Sequence, residues 1–420
     1  MRPLLDMYRE ELGGKLVHTS DILAGLTVAV VALPLALAFG ISSEMGAAAG
    51  LVSAIVAGIV AAALGGSRFQ VSGPTGAMTV ILLPIVHRVG IPGVLAAGML
   101  AGGLLVAAGF LKLGSHIHKL PVSLIEGFTA GIAVVIALQQ VPLIWPSATH
   151  SDHIALTALL DFWRSTEKLS TSSMMALGVA ATLYIARHRW TLWPKSLIVI
   201  ISVTAYCTLA DVDIATVGEL PAQLFTFSFD FLRQPSGLLV IVPPAVSIAI
   251  LAALESLLSA KVADNLRGDS EHDADRELVG QGVANLVTPL FGGVPATAAL
   301  ARTAVNVHAG AQTRFAAIFH ALALALAVVL LAEVVSEIPI AALAGVLWAT
   351  TAQMIKIKEL KAEAAQSKLD ALILVTTFVT TILVDLISAV ALGTALWLLL
   401  RRRLTSRRDA VVNEEETLGD

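Results

Sequence analysis

Charge is scarce in this chain. Only 14% of its 420 residues are charged, where a soluble domain carries about a quarter, and that shortage excludes a surface able to dissolve in water. Cysteine is scarcer still. Cys207 stands alone inside an apolar run, which excludes a disulfide framework and a cysteine-based metal site. The first twenty residues, MRPLLDMYREELGGKLVHTS, lack an apolar h-region and a small-residue cleavage site. They read as a cytoplasmic segment, residues 1–20, ahead of a first span that stays uncleaved. No intact P-loop, metal-ligand cluster or nucleophile–base arrangement is present, so an enzyme is not expected and no cofactor is called for.

What the chain has instead is apolar length. Hydrophobic residues reach 56% and the mean hydropathy is +0.83, gathered in runs close to the 20 residues that ~30 Å of hydrocarbon requires of a helix. The runs predict an all-α integral membrane protein with spans at 22–41, 46–64, 93–112, 122–145, 171–187, 193–210, 237–260, 276–291, 314–332, 338–355, 370–386 and 387–401. Two further segments, 74–88 and 297–309, are too short or too polar to cross alone. Together these make about fourteen elements.

The basic residues orient them. With both termini cytoplasmic, most of the 27 lysines and arginines fall on inner segments, including Arg401, Arg402, Arg403, Arg407 and Arg408 at the end of the last span. That bias places the protein in a cytoplasmic (inner) membrane with both ends inside. The terminal arginines read as a stop-transfer and lipid-headgroup contact rather than a nucleic-acid site, and residues 404–420 as a polar cytoplasmic tail.

The two short elements carry the functional signal. Residues 65–79 read GGSRFQVSGPTGAMT and residues 292–306 read GGVPATAALARTAVN. Each follows an apolar span, opens with Gly-Gly, breaks at a proline and then begins a short helix. From Pro74 to Arg88 a helix reaches only about 21 Å. Matching breaks in two halves of a transporter indicate an inverted repeat and a binding site at the midplane. Unpaired N–H groups and the helix dipole make each helix start a site for negative charge, so two facing starts can cradle an anion. Ser72, Thr75 and Gly76 are the candidates on one side and Arg302 on the other. The plain alternative for the breaks is loosened helix packing, since Gly and Pro are common in spans. For Arg302 it is a structural ion pair or snorkelling to the surface. A charge near the bilayer centre usually faces a cavity or a partner, which favours the anion role.

Glu255, in ILAALESLLSAKVAD, is the other buried charge, with Ser259 four residues on and so on the same helix face. Hydrocarbon disfavours a charged carboxylate, which suits Glu255 to carrying a proton. A fixed counter-charge for Arg302 is the alternative, and the sequence leaves both open. Lys261 reads as the cytoplasmic end of its span, His116, His118 and His188 as inner-loop surface residues, and Asp385 as an outer turn.

Several stretches in order, AGLTVAVVALPLALAFG (24–40), QVSGPTGAMT (70–79), 255–264, ELVGQGVAN (277–285), LARTAVN (300–306) and 384–387, resemble the SulP family of sulfate permeases and related anion exchangers. The likeness spans about residues 20–403. It implies a seven-plus-seven inverted repeat, with halves at about 21–212 and 236–403, core and gate domains, and two half-helices. In such relatives the anion sits between the third and tenth helices. That match implies anion contacts at Thr75, Ala298, Ala299, Ala301 and Arg302, with Phe39 and Leu35 as lining from the first helix. Three departures stand out. Relatives usually carry a STAS domain where this chain has only its tail. The sodium-linked relatives place Asp, Thr and Thr where this chain has Glu255, Ser259 and Leu300, which points toward proton coupling. Leu35 replaces a polar residue of the animal exchangers, making that wall drier.

The expected function is secondary active transport of a small inorganic anion, sulfate first, by proton symport and alternating access. The alternatives are a sodium-coupled bicarbonate or dicarboxylate transporter, a passive anion channel, and a nucleobase permease of the same architecture. Expected partners are the anion, a proton or in its place sodium, and membrane lipids. A homodimer is left open, and no nucleic acid is expected.

Overall fold

A computed structural model describes residues 6, 8, 18–117, 121–145, 158, 160, 162, 163, 170–186, 195–221, 224–233, 238–268, 271–384, 386 and 388–399. In chain order these form α1 (Thr19–Ser42), α2 (Ala47–Leu64), β1 (Ser72–Gly73), α3 (Gly76–Phe110), α4 (Val122–Gln139), α5 (Thr171–Ala186), α6 (Lys195–Leu209), α7 (Leu238–Arg267) and α8 (Ala274–Val287). They continue with β2 (Thr297–Ala298), α9 (Leu300–His308), α10 (Phe315–Ser336), α11 (Ile340–Met354), α12 (Ile357–Gln366) and α13 (Lys368–Leu383), then α14 (Ser388–Leu399). Seven helices among the described residues are long and apolar enough to cross a membrane, and the chain is an all-α membrane protein.

The apolar runs became helices close to where they were expected. The half-helix at 74–88 and the span at 93–112 are the two parts of α3, separated by a kink where Gly90 leaves the helical region with φ 70° and ψ 177°. Glycine tolerates that conformation, and Pro92, two residues on, has no N–H with which to carry the ladder across the bend. Helix α7 runs on to Arg267, so Lys261 sits inside the helix as an exposed residue and does not end it. The connector α12, IKELKAEAAQ, is too polar to register as a span and is helical nonetheless. Asp385, His118, His188 and the Arg401 to Arg408 cluster lie outside the described residues.

The chain divides into two compact units. One comprises Met1–His118 and Ile136–Ala352, the other Lys119–Val135 and Gln353–Asp420. In the first, α1 and α2 meet backbone to backbone. A Cβ on Gly50 would collide with the Ala36 carbonyl, and one on Gly40 with the Gly46 carbonyl, the small-residue contact typical of membrane helices. In the second, α4 and α13 approach in the same way, with Gly127 against the backbone of Leu374 and Gly131 against Thr381.

The two broken segments meet in the first unit. Strands β1 and β2 pair antiparallel, Ser72 opposite Ala298 and Gly73 opposite Thr297. The ladder gains one more bond, from Ala299 N–H to the Val71 carbonyl at 2.9 Å. Non-helical backbone at membrane depth is tolerated only where protein satisfies it, and each buried unpaired group costs roughly 1–3 kcal/mol. Helix α8 supplies most of the partners. Glu277 Oε2 accepts from the N–H groups of Gly66 at 2.9 Å and Ser67 at 3.0 Å. Asn285 clasps Ala296 at both its N–H and its carbonyl, each at 2.8 Å. From α9, Asn306 donates to the Phe69 carbonyl at 2.8 Å. These bonds let two strands of two residues persist inside a helical membrane protein.

Candidate functional site

Beyond the strand pair the chain turns into two helix starts. Thr75 caps α3 with extended backbone, φ −127° and ψ 159°, and its Oγ1 accepts from the N–H of Met78. Ala299 caps α9 with φ −92° and ψ 111° and makes no side-chain bond to it. An alanine cap leaves the first N–H groups of α9 without a side-chain acceptor, which is the condition under which a helix start binds anions. The amino end of α9 is also open, with Leu300 48% exposed and Ala301 exposed, while Ala298 is buried and Ala299 half-buried.

Arg302 lies one turn into α9 and is 1% exposed, so it does not snorkel. Its Nη2 donates to the Pro74 carbonyl at 2.6 Å, and its Nη1 has no hydrogen-bond partner among the described residues. The guanidinium lies against Gly73, where a Cβ would come within 2.7 Å of Nη1 and 3.0 Å of the Ala54 Cα. Only glycine leaves that space, so the turn before α3 and the arginine of α9 require each other.

Glu255, on α7, accepts from the Thr75 hydroxyl at 2.8 Å. No hydrogen bond or ion pair joins it to Arg302 among the described residues. Thr75 is therefore occupied twice, as acceptor for its own helix and as donor to Glu255, and has no proton free for a ligand while Glu255 holds it. The expected pair Glu255 and Ser259 does not converge. Ser259 is fully buried and donates to Thr303 Oγ1 at 3.0 Å. Ser72 is turned to α8, accepting from Gln281 Nε2 at 2.7 Å. Phe39 reaches the first residue of α3, its Cε1 lying 3.2 Å from where a Gly76 Cβ would stand. Leu35, one turn earlier on α1, belongs to the same buried cluster.

Several residues at the site were not singled out from sequence. Ser256 shares a 2.9 Å bond with Thr297 and accepts from the Ala298 N–H at 3.3 Å. Thr303 accepts from the Val71 N–H at 3.1 Å. Gln281 bridges Ser72 and Glu277. A signal existed for α8: Glu277, Gln281 and Asn285 recur every fourth residue, a polar stripe along one face. Nothing in the local sequence marks Ser256 or Thr303 as partners of the other half.

Exchanging Thr75 for valine keeps the shape and removes the hydroxyl. If that group serves a charged ligand, affinity should fall by about 1.5–3 kcal/mol, roughly ten- to a hundredfold, read by calorimetric titration with anion. A change below about twofold would leave Thr75 with a packing role alone.

Similarity to known proteins gives the family. A profile of the sulfate permease family matches residues 19–377. YvdB of Bacillus subtilis, named as a proposed sulfate transporter, is 36% identical over 94% of this chain and 76% of its own length. The bicarbonate transporter BicA of Synechocystis is 32% identical over 89% of this chain and 68% of its own. Among solved structures, the transmembrane domain of a cyanobacterial BicA superposes with a TM-score of 0.77 at 31% identity, covering 89% of this chain and 98% of that one. The murine anion transporter Slc26a9, in its inward-facing state, shares the fold with a TM-score of 0.85 at 20% identity, over 96% of this chain and 71% of that one. The chain is a multi-pass membrane anion transporter, not an enzyme, and belongs to the sulfate permease family.

Proposed function

We propose that the protein carries sulfate into the cell by proton symport, with Glu255 as the proton carrier and Thr75, Gly76, Ala298, Ala299, Ala301 and Arg302 as the anion site. One observation carries the reading: the Thr75 hydroxyl, at the start of one half-helix, is held by Glu255 while a buried arginine of the other half-helix keeps one nitrogen unpaired. An ionised Glu255 occupies the donor that an incoming anion needs and repels the anion as well. A proton on Glu255 relieves both effects, so proton and anion favour each other's binding, reciprocally. Symport follows if the loaded pair and the empty site cross the membrane more readily than either half-loaded state.

The transporter domain spans 21–403 in two inverted halves, in the cytoplasmic membrane with both termini inside, as the basic residues indicate. Bicarbonate is the second reading, because BicA relatives are more than 30% identical. Purified protein in proteoliposomes decides. Labelled sulfate should accumulate above its gradient when the outside is made acidic, with competition from bicarbonate, fumarate and chloride setting the order of preference. Accumulation that follows sodium and ignores the proton gradient would overturn the proton assignment. Uptake that never exceeds the sulfate gradient would indicate a channel.

A further inference from the structure

The amino end of α3 is covered by a residue that the site described above does not include. A Cβ placed on Gly76, the first residue of α3, would overlap Ile136 Cδ1 and stand 3.1 Å from Ile136 Cγ1 and 3.2 Å from Phe39 Cε1. Two apolar side chains, from α4 and α1, thus close over the first turn, where the N–H of Gly76 has no partner within its helix. Ile136 is 2% exposed.

The same face of α4 is tied down around it. Gln139 and Gln140 follow Ile136 by three and four residues and so flank it on one face. Gln139 and Thr79 exchange two long bonds, hydroxyl to amide oxygen and amide nitrogen to carbonyl, both 3.4 Å. Gln140 accepts from Ser42 at 3.3 Å and returns its nitrogen to the Ile136 carbonyl at 2.9 Å. Trp348 donates to the Ala137 carbonyl at 2.9 Å. The backbone carrying Ile136 is held from α1, α3 and α11, so its side chain stays where it is placed.

We propose that Ile136 is a specificity-determining residue of the anion site, its side chain limiting the size of the anion that reaches the first turn of α3. This rests on the reading of that turn as part of the anion site. A branched aliphatic chain against a helix start offers the ligand no hydrogen bond. An anion there must shed water on that side, and a tetrahedral divalent ion loses more hydration and needs more room than a planar monovalent one. Shortening Ile136 should therefore favour sulfate over bicarbonate.

The test is uptake of labelled sulfate and bicarbonate into proteoliposomes holding wild type, Ile136→Val or Ile136→Ala. The ratio of sulfate to bicarbonate uptake should rise by roughly tenfold in the alanine variant and less in the valine variant, since pocket methylenes discriminate by roughly ten- to 200-fold at most. A ratio within twofold of wild type in both variants, with uptake retained, overturns the proposal and leaves the anion site standing. If the alanine variant fails to insert, the valine variant decides. Wild type carrying neither anion overturns both the site reading and this inference.

Discussion

Exchanging Arg302 for alanine should weaken sulfate binding by more than a hundredfold, with the protein still folded and inserted. Truncating one partner of a desolvated charge pair costs about 2–5 kcal/mol, and a hundredfold loss in affinity is about 2.7 kcal/mol. The guanidinium is suited to the role because it is buried, is anchored by a single bond to the Pro74 carbonyl and keeps Nη1 unpaired. It belongs to the first turn of α9 and bonds the Pro74 carbonyl just ahead of α3, so its charge adds to that of the helix starts in a medium that screens poorly. Arg302→Lys should recover part of the loss, since lysine restores the charge without the planar fork. Calorimetry on monodisperse protein in detergent reads the affinity. Equal affinities in mutant and wild type would remove Arg302 from the site and leave it as the strut that props the Gly73 turn.

Glu255→Gln should abolish proton-driven accumulation while sparing exchange. The amide imitates a protonated carboxyl: it carries no charge, accepts from Thr75 more weakly than a carboxylate does, and cannot release a proton. Sulfate should therefore bind as well as or better than in wild type, and counterflow of labelled against unlabelled sulfate should continue. Accumulation against the sulfate gradient should fall to equilibrium at every outside pH. In wild type the direction is set by reciprocity: lowering the outside pH loads Glu255, loading favours the anion, and uptake rises. Loss of binding and exchange together in the Gln variant would mean that the carboxylate's charge holds Arg302 and Thr75 in place, the counter-charge role. The bond from Thr75 to Glu255, with no direct pairing of Glu255 to Arg302, motivates the coupling role instead.

Legibility from sequence varied by residue. Thr75, Gly76 and Arg302 stand out in the sequence because glycine, proline and an intramembrane arginine depart from the surrounding apolar pattern, and such departures at membrane depth are expensive unless used. Glu255 stands out for the same reason. Ser259 shares a helix face with Glu255, but four-residue spacing fixes the face of a helix and not the rotamer or the neighbour. Its hydroxyl went to Thr303, a residue 44 positions away. Ser72 likewise met Gln281 across more than 200 residues of chain. Ile136 escaped notice because one isoleucine within an apolar helix has no distinguishing feature until its neighbour proves to be Gly76.

The sequence by itself determined the solvent, the helices and the two interruptions, because all three follow from local composition: hydrocarbon thickness sets helix length, and a Gly-Gly pair followed by a proline marks each break. Tertiary structure alone decided the pairing of β1 with β2, the polar stripe of α8 that satisfies the broken backbone, and which hydroxyl each buried side chain meets. Those contacts join residues far apart in the chain, and a buried polar group takes whichever partner packing brings within about 3 Å. That choice is not encoded in any stretch short enough to be read along the sequence.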